Sequence, residues 1–122
     1  MNKCSYLCIT TEYLTNYIIQ MKIAITSQGM SADSLLDSRF GRCTAFAIYD
    51  TDTKALDFIK NPNKDIDEGA GPASVSLVAN QGVSRIISGE FGFKIKGLLT
   101  DLKIQMDTCK ENISVQEIIN QL

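Results

Sequence analysis

The sequence predicts a three-layer α/β protein built on a five-stranded mixed sheet. From residue 21 onward, short apolar segments of strand character are followed by segments with apolar residues at helical spacing, in the order β-β-β-α-β-α-β-α. Right-handed crossovers make strands that flank a helix parallel, whereas a hairpin contributes an antiparallel strand. We therefore expect the second strand to run antiparallel to the other four.

The first three strands are predicted between residues 22 and 60. Lys22 to Ser27 is a short β-branched apolar run, which is typical of a central strand buried on both faces. Thr44 to Asp50 and Ala55 to Lys60 are separated by the turn-rich sequence TDTK. This arrangement predicts an antiparallel hairpin for strands two and three.

Helices and strands alternate in the second half. Gly69-Ala70-Gly71-Pro72 is predicted to open a helix, because Pro72 falls near its first turn and Gly82 just past its end. The residues expected on its buried stripe are Ala73, Leu77 and Val78. Val83 to Ser88 is the fourth predicted strand, and a second helix follows. Its apolar residues at i, i+3, i+4 and i+7 are Ile95, Leu98, Leu99 and Leu102.

The last two predicted elements are a strand and a capped helix. Lys103 to Asp107 fits the fifth strand. Ser114 and Glu117 have the spacing of a capping box, in which each side chain satisfies a backbone N–H of the first turn. The apolar residues that follow at helical spacing are Val115, Ile118, Ile119 and Leu122.

The amino-acid composition excludes several kinds of catalytic site and binding partner. The chain has 122 residues, a formal net charge of -2 and no histidine. The absence of histidine excludes His-based zinc sites and Ser-His-Asp or Cys-His nucleophiles. The balanced charge gives no general attraction to nucleic acid or to membrane surfaces. We expect neither as a partner.

Residues 1–20 differ in character from the rest. We interpret them as an N-terminal extension, either disordered or the result of a start assigned too early, and residues 21–122 as a single domain. No apolar segment approaches the roughly 20 residues that span a bilayer, and the N-terminus lacks the zones of a secretory signal. These features predict a soluble protein of the cytoplasm.

Ligands of such sheets bind outside the carboxyl ends of the parallel strands. Four segments are expected at that edge: 28–43, 61–71, 89–92 and 107–109. In the first of them, Arg39 and Arg42 offer planar donors suited to an anion. One arginine could instead pair with a carboxylate and hold the loop; the possible partners are Asp33, Asp37 and Glu90. We expect one arginine in each role.

Glycines surround the same edge. Gly41 indicates a turn or a close approach that a Cβ would block, and Phe40 beside it is expected to anchor the loop in the core. Gly69 and Gly71 could present helix N–H groups to an anion, although tight turns explain them equally well. The candidate binding residues are Arg39, Phe40, Gly41, Arg42, Gly69, Gly71, Gly89 and Gly92.

The cysteines are the candidate metal ligands. Cys4, Cys8, Cys43 and Cys109 contain no Cys-x-x-Cys pair, which favours reduced thiols. Cys43 and Cys109 could each supply a thiolate to a metal cluster. Their strands are expected three spacings of about 4.8 Å apart, roughly 14 Å, so one mononuclear site is not expected to join them. Each could instead be a small buried hydrophobic residue.

With these residues in place, Met21 to about Ile119 resembles the dinitrogenase iron-molybdenum cofactor biosynthesis family. The matching segments, in order, are MKIAITSQG, DSRFGRC, Tyr49-Asp50, Asn61-Pro62-Asn63, GAGPAS, Gly82-Val83 and Ser88-Gly89. The resemblance implies a ribonuclease H-like fold and the binding or carriage of an iron-sulfur-based cofactor or its precursor. Arg39 stands where this family frequently has histidine, and KENI replaces the usual glycine-rich turn before the last helix.

Two functions are compatible with these residues. The first is a non-catalytic carrier of an iron-sulfur-type cluster or iron-molybdenum cofactor precursor. In it, Cys43 is the ligand, the arginines offset cluster charge, and metal-cluster donor or acceptor proteins are the partners. The second is a regulatory or scaffold protein that binds a small anion or a protein without metal. A nuclease is not expected, because the first strand carries none of the carboxylates that would hold catalytic metal ions.

Overall fold

The computed structural model describes residues 21–110 and 112–122. The predictions for residues 1–20, including Cys4 and Cys8, lie outside this range. The strands are β1 (Lys22–Ser27), β2 (Ala45–Asp50), β3 (Leu56–Lys60), β4 (Val83–Ser88) and β5 (Gln105–Thr108). The helices are α1 (Ala70–Ala79), α2 (Phe93–Asp101) and α3 (Val115–Asn120).

The five strands form one mixed sheet in the order β3-β2-β1-β4-β5. β2 is antiparallel to both β1 and β3, whereas β4 is parallel to both β1 and β5. The predicted element order and the single antiparallel strand are therefore confirmed. β1 lies at the centre of the sheet, and residues 23 to 27 are all buried, as expected for a strand covered on both faces.

Helices cover both faces of the sheet. Successive side chains of β1 point to opposite faces, so Ala24 packs with α1 and α2 while Ile23 and Ile25 pack with α3. Val78 of α1 and Leu99 of α2 are fully buried on the first face. This arrangement confirms the three-layer architecture.

Two details differ from the sequence prediction. β5 begins at Gln105 rather than Lys103. Lys103 has a positive φ of 61°, and the backbone N–H of Ile104 donates to the carbonyl of Leu99, so both residues are part of the turn that ends α2. The buried residues of α1 are Ala70, Ser74, Val75 and Val78. Only Val78 of the expected stripe is therefore fully buried.

The C-terminal end of α2 and the N-terminal end of α3 can also be compared with the sequence prediction. Leu102 is half exposed because it forms the C-cap of α2 instead of its last turn. The capping box of α3 is confirmed: Ser114 accepts from the backbone of Glu117, and the Glu117 side chain accepts from the backbone of Ser114. In the part of the chain that the structure describes, no helix is long and apolar enough to cross a membrane.

Candidate functional site

An open cleft of about 480 Å³ lies at the carboxyl edge of β1 and β4. Its lining residues are Arg39, Phe40, Gly41, Arg42, Gly69, Ala70, Gly71, Glu90, Gly92 and Ile95. The fold thus brings together every candidate binding residue except Gly89. Sequence reasoning did not assign three lining residues to binding: Ala70 and Ile95, which it considered only as parts of helices, and Glu90, which it considered only as a partner for an arginine.

Two helices begin at the cleft without caps. The N-cap residues of α1 and α2 are Gly69 and Gly92; neither offers a side-chain cap, and neither helix has an acidic residue in its first turn. The first N–H groups of a helix have no intrahelical partner and carry a partial positive charge. No described residue accepts a hydrogen bond from the backbone N–H of Ala70 or Gly71. The N–H groups at the start of α1, whose Ala70 and Gly71 line the cleft, are therefore available to an anion there.

The wall of the cleft depends on a close approach of two backbone segments. A Cβ on Gly41 would lie 2.8 Å from the Cα and 3.0 Å from the N of Gly71. Gly41 therefore allows the loop after β1 to rest directly on the first turn of α1. Gly89 serves a similar purpose just outside the cleft, where its Cβ would lie 2.5 Å from the Cα of Ser38.

The two arginines of the cleft are held differently. Arg39 donates to Asp37 from its Nε at 3.3 Å and from its backbone N–H at 2.9 Å, and its side chain is 55% exposed. Arg42 donates from Nη1 to the carbonyls of Lys64 and Ile66, at 3.0 and 2.6 Å, and from Nη2 to that of Asp67 at 3.4 Å. Within the described residues Arg42 has no carboxylate partner, so its positive charge is not offset by an ion pair.

The ion pair of Arg39 with Asp37 is one of the pairings expected from the sequence, whereas the contact of the other arginine with a ligand stays a prediction. Both have protein partners, and both line the cleft. More than half of the Arg39 side chain is exposed, while Asp37 restrains it. Arg42 fastens the 64–67 loop to the loop after β1, and it contributes a net positive charge to the cleft.

A buried amide fixes the loop from below. Asn61 is 3% exposed, and its Nδ2 donates to the carbonyls of Gly41 at 3.1 Å and Cys43 at 3.0 Å. Its Oδ1 accepts from the backbone of Asn63 at 3.1 Å. The Ser74 hydroxyl of α1 lies 3.2 Å from the Gly41 carbonyl and 3.4 Å from the Asn61 Oδ1. This network explains why a polar residue occupies the buried face of α1.

Phe40 anchors the same loop in the core. It is 2% exposed, and its ring centroid lies 5.5 Å from that of Phe46 and 5.9 Å from that of Phe91. The structure thus agrees with the interpretation of Phe40 as an anchor. The residue reaches the cleft only as part of its floor.

The position of Cys43 argues against its predicted role as a metal ligand. Its side chain is fully buried, and its Sγ donates to the carbonyl of Phe40 at 3.3 Å. Burial, followed by the nearby Asp37 carboxylate, raises the pKa of this thiol to about 12. The thiol is therefore enclosed in the core and does not line the cleft, so it is not placed to bind a metal cluster there.

Cys109 lies on the other face of the sheet from Cys43. It packs with the α3 side of the core, whereas Cys43 packs with the α1 and α2 side. Partial burial, followed by the charge of Asp107, raises the pKa of the Cys109 thiol. The two thiols cannot share a site. Across residues 21–110 and 112–122, no group of three or more His, Cys, Asp or Glu side chains could hold a metal ion.

Known proteins share both the sequence pattern and the fold. An uncharacterized protein of Methanocaldococcus jannaschii is 34% identical over 103 residues, which cover 81% of this chain and 82% of that protein. The apo form of the orange protein from Desulfovibrio gigas superposes with a TM-score of 0.78 at 27% identity, covering 83% of this chain and 85% of that one.

A second solved structure is also similar to this chain. A NifB-like protein from Thermotoga, determined by NMR, superposes with a TM-score of 0.72 at 27% identity, covering 82% of this chain and 84% of that one. The family model described as dinitrogenase iron-molybdenum cofactor matches residues 21–122. The family and these neighbours indicate a small binding or carrier protein related to a cofactor. The chain belongs to the dinitrogenase iron-molybdenum cofactor family.

Proposed function

We propose that this protein is a non-catalytic carrier that holds a preassembled, anionic, sulfur-bearing metal cluster in the cleft. The cargo is an iron-sulfur-type cluster or an iron-molybdenum cofactor precursor. The observation that carries the proposal is the convergence of two uncapped helix N-termini with Arg39 and Arg42 on one open cleft. Helix N–H groups and guanidinium groups are the donors that anions prefer in proteins.

The lining residues favour a cluster that brings its own ligands. The cleft has neither a thiol nor an imidazole among its lining residues, so coordination by the protein is not part of the proposal. Hydrogen bonds from backbone N–H groups and from Arg39 would hold the sulfide or oxide surface of the cargo. Gly69 has no side chain, and no described atom beyond its chain neighbours lies within 4 Å of where its Cβ would be, so it leaves room for a bulky ligand.

The openness of the site suits a carrier. Half of the Arg39 side chain remains exposed, so cargo in the cleft would remain accessible to a second protein. Metal-cluster donor or acceptor proteins are the partners that such a carrier requires. The similarity to the orange protein and to the NifB-like protein supports this assignment.

Anaerobic retention of tetrathiomolybdate tests the proposal. In this dianion, sulfide surrounds molybdenum and gives a visible absorption band that can be followed through desalting. We expect the wild type to retain the anion and Arg39→Gln to retain about tenfold less, since one charge-assisted contact contributes on the order of 1.5 kcal/mol. Cys43→Ser should retain it as well as the wild type, because the thiol is buried outside the cleft.

A charge-matched control separates the cleft from general attraction. Lys54 is exposed in the turn between β2 and β3, at the opposite edge of the sheet. Lys54→Gln should retain the probe like the wild type. A wild type that retains no probe would reject the proposal. Equal affinity for sulfate would instead favour the second function, a regulatory or scaffold protein that binds a small anion.

A further inference from the structure

Glu90 is the one acidic residue among those that line the cleft. Its backbone forms a one-residue parallel bridge with Arg39, and it precedes Gly92, the N-cap of α2, by two positions. Arg39 nevertheless pairs with Asp37, and within the described residues the Glu90 carboxylate has no ion pair and accepts no hydrogen bond. An exposed carboxylate with no partner in the described part of the chain therefore shares the cleft with groups that attract anions.

The carboxylate opposes the charge of any anionic ligand. The positive contributions are the Arg42 guanidinium, the Arg39 guanidinium restrained by Asp37, and about half a unit charge from each helix start. Coulomb repulsion from Glu90 acts against them and grows in proportion to ligand charge. A cleft that only attracted anions would not require an acidic residue at this position. A carrier, however, must also release its cargo.

We propose that Glu90 sets the charge selectivity of the cleft. It lowers the affinity for multiply charged anions more than for singly charged ones, and it thereby keeps the binding of a highly charged cargo reversible. This inference rests on the proposed function, because it concerns the same cleft. Glu90 acts on the ligand directly through its field rather than by holding another residue.

Two tetrahedral oxyanions of closely similar size provide the test. Molybdate carries two negative charges and perrhenate carries one, so their affinities can be compared by calorimetry at low salt for the wild type and Glu90→Gln. If removal of the carboxylate raises the perrhenate affinity roughly threefold, it should raise the molybdate affinity roughly tenfold, because the repulsion energy doubles with ligand charge. Added salt should reduce both gains.

Asp101→Asn is the matched control. Asp101 is exposed at the far end of α2, and its substitution changes the net charge by the same amount. It should change both affinities by less than about twofold. Equal gains for the two oxyanions in Glu90→Gln, or gains no larger than those of Asp101→Asn, would overturn the inference.

The outcomes also separate this inference from the proposed function. If the wild type retains tetrathiomolybdate and Glu90→Gln shows no gain for any anion, the role of Glu90 is wrong while the carrier proposal stands. If neither protein binds any of the three anions, both are wrong. Thermal unfolding without ligand should be nearly unchanged in Glu90→Gln, since the side chain is exposed and unpaired.

Discussion

The side-chain amide of Asn61 donates a hydrogen bond to the backbone carbonyl of Gly41, 3.1 Å away in the protein interior. This bond joins the segment after β3 to the loop after β1. Because the same amide also donates to the carbonyl of Cys43, the wall of the cleft is fixed by a buried group that does not line the cleft. The position of the cleft wall therefore depends on a residue outside the cleft.

Asn61→Asp should destabilise the protein by about 2–4 kcal/mol. The substitution keeps the shape but removes both N–H donors and places a carboxylate against two carbonyl oxygens in the interior. Urea unfolding measures the loss. Asn120→Asp is the control, because Asn120 is exposed at the end of α3 and should change stability by less than about 0.5 kcal/mol. Similar losses for both variants would contradict the role of Asn61.

Gly41→Ala should both destabilise the fold and weaken anion binding. The new Cβ would press on the backbone of Gly71, which cannot move without shifting the start of α1, and we expect a loss of about 1–3 kcal/mol. Gly97→Ala is the control: apart from its chain neighbours and the backbone of α2, no described atom lies within 4 Å of its Cβ position. That variant should gain about 0.5–1 kcal/mol from helix propensity. Denaturation and calorimetry on both variants give the comparison.

Arg42→Lys should loosen the 64–67 loop although the charge is kept. A lysine ammonium cannot reproduce the planar arrangement that reaches three carbonyl groups. We expect amide hydrogen exchange in this loop to become at least tenfold faster, with a loss of global stability of about 1 kcal/mol. Arg39→Lys should leave exchange in this loop unchanged, because Arg39 makes no hydrogen bond to it. Unchanged exchange in Arg42→Lys would contradict this role.

The buried thiol of Cys43 predicts a loss of stability at alkaline pH. Its pKa is raised from 9.0 to about 12 in the folded protein, so between these values the unfolded chain releases a proton that the folded chain keeps. The contribution of this thiol is complete below pH 9 and is lost as pH rises towards 12. The loss is about 1.4 kcal/mol per pH unit.

Cys43→Ala removes this titration and supplies the comparison. Its unfolding free energy should fall less steeply than that of the wild type between pH 9 and pH 11, although it starts lower because a buried atom is missing. Cys109→Ala serves as a control for thiol loss, since Cys109 is only partly buried. Parallel curves for wild type and Cys43→Ala would show that the thiol titrates normally.

Local patterns in the sequence were sufficient for most of the architecture. The β-branched run of β1, the turn between β2 and β3, and the Ser114–Glu117 capping box each depend on residues close together in the chain. Hairpin geometry and crossover handedness then restrict how such elements can be assembled. The end of α2 was less predictable. The positive φ of Lys103 ends the helix, and β5 therefore begins two residues later than expected.

For the candidate site, the sequence predicted which segments lie at the same edge of the sheet. It did not predict how their side chains are oriented or paired. The motif DSRFGRC correctly directed attention to the carboxyl edge of the sheet, where Arg39, Gly41 and Arg42 line the cleft. The same motif could not show that the neighbouring Cys43 side chain turns into the core. Nor could it show that Asp37 restrains Arg39 while Glu90 stays unpaired, because each pairing was equally possible from spacing alone.

The amino-acid sequence by itself determined the order of the elements, the single antiparallel strand and the gathering of glycines and arginines at one edge of the sheet, because periodicity and turn chemistry are local properties. Only the tertiary structure decided which polar groups face the cleft and which are buried beneath it. That choice depends on contacts between distant segments, such as Asn61 with Gly41 and Gly41 with Gly71. The physical reason is that close packing and buried hydrogen bonds allow the loop after β1 only one conformation.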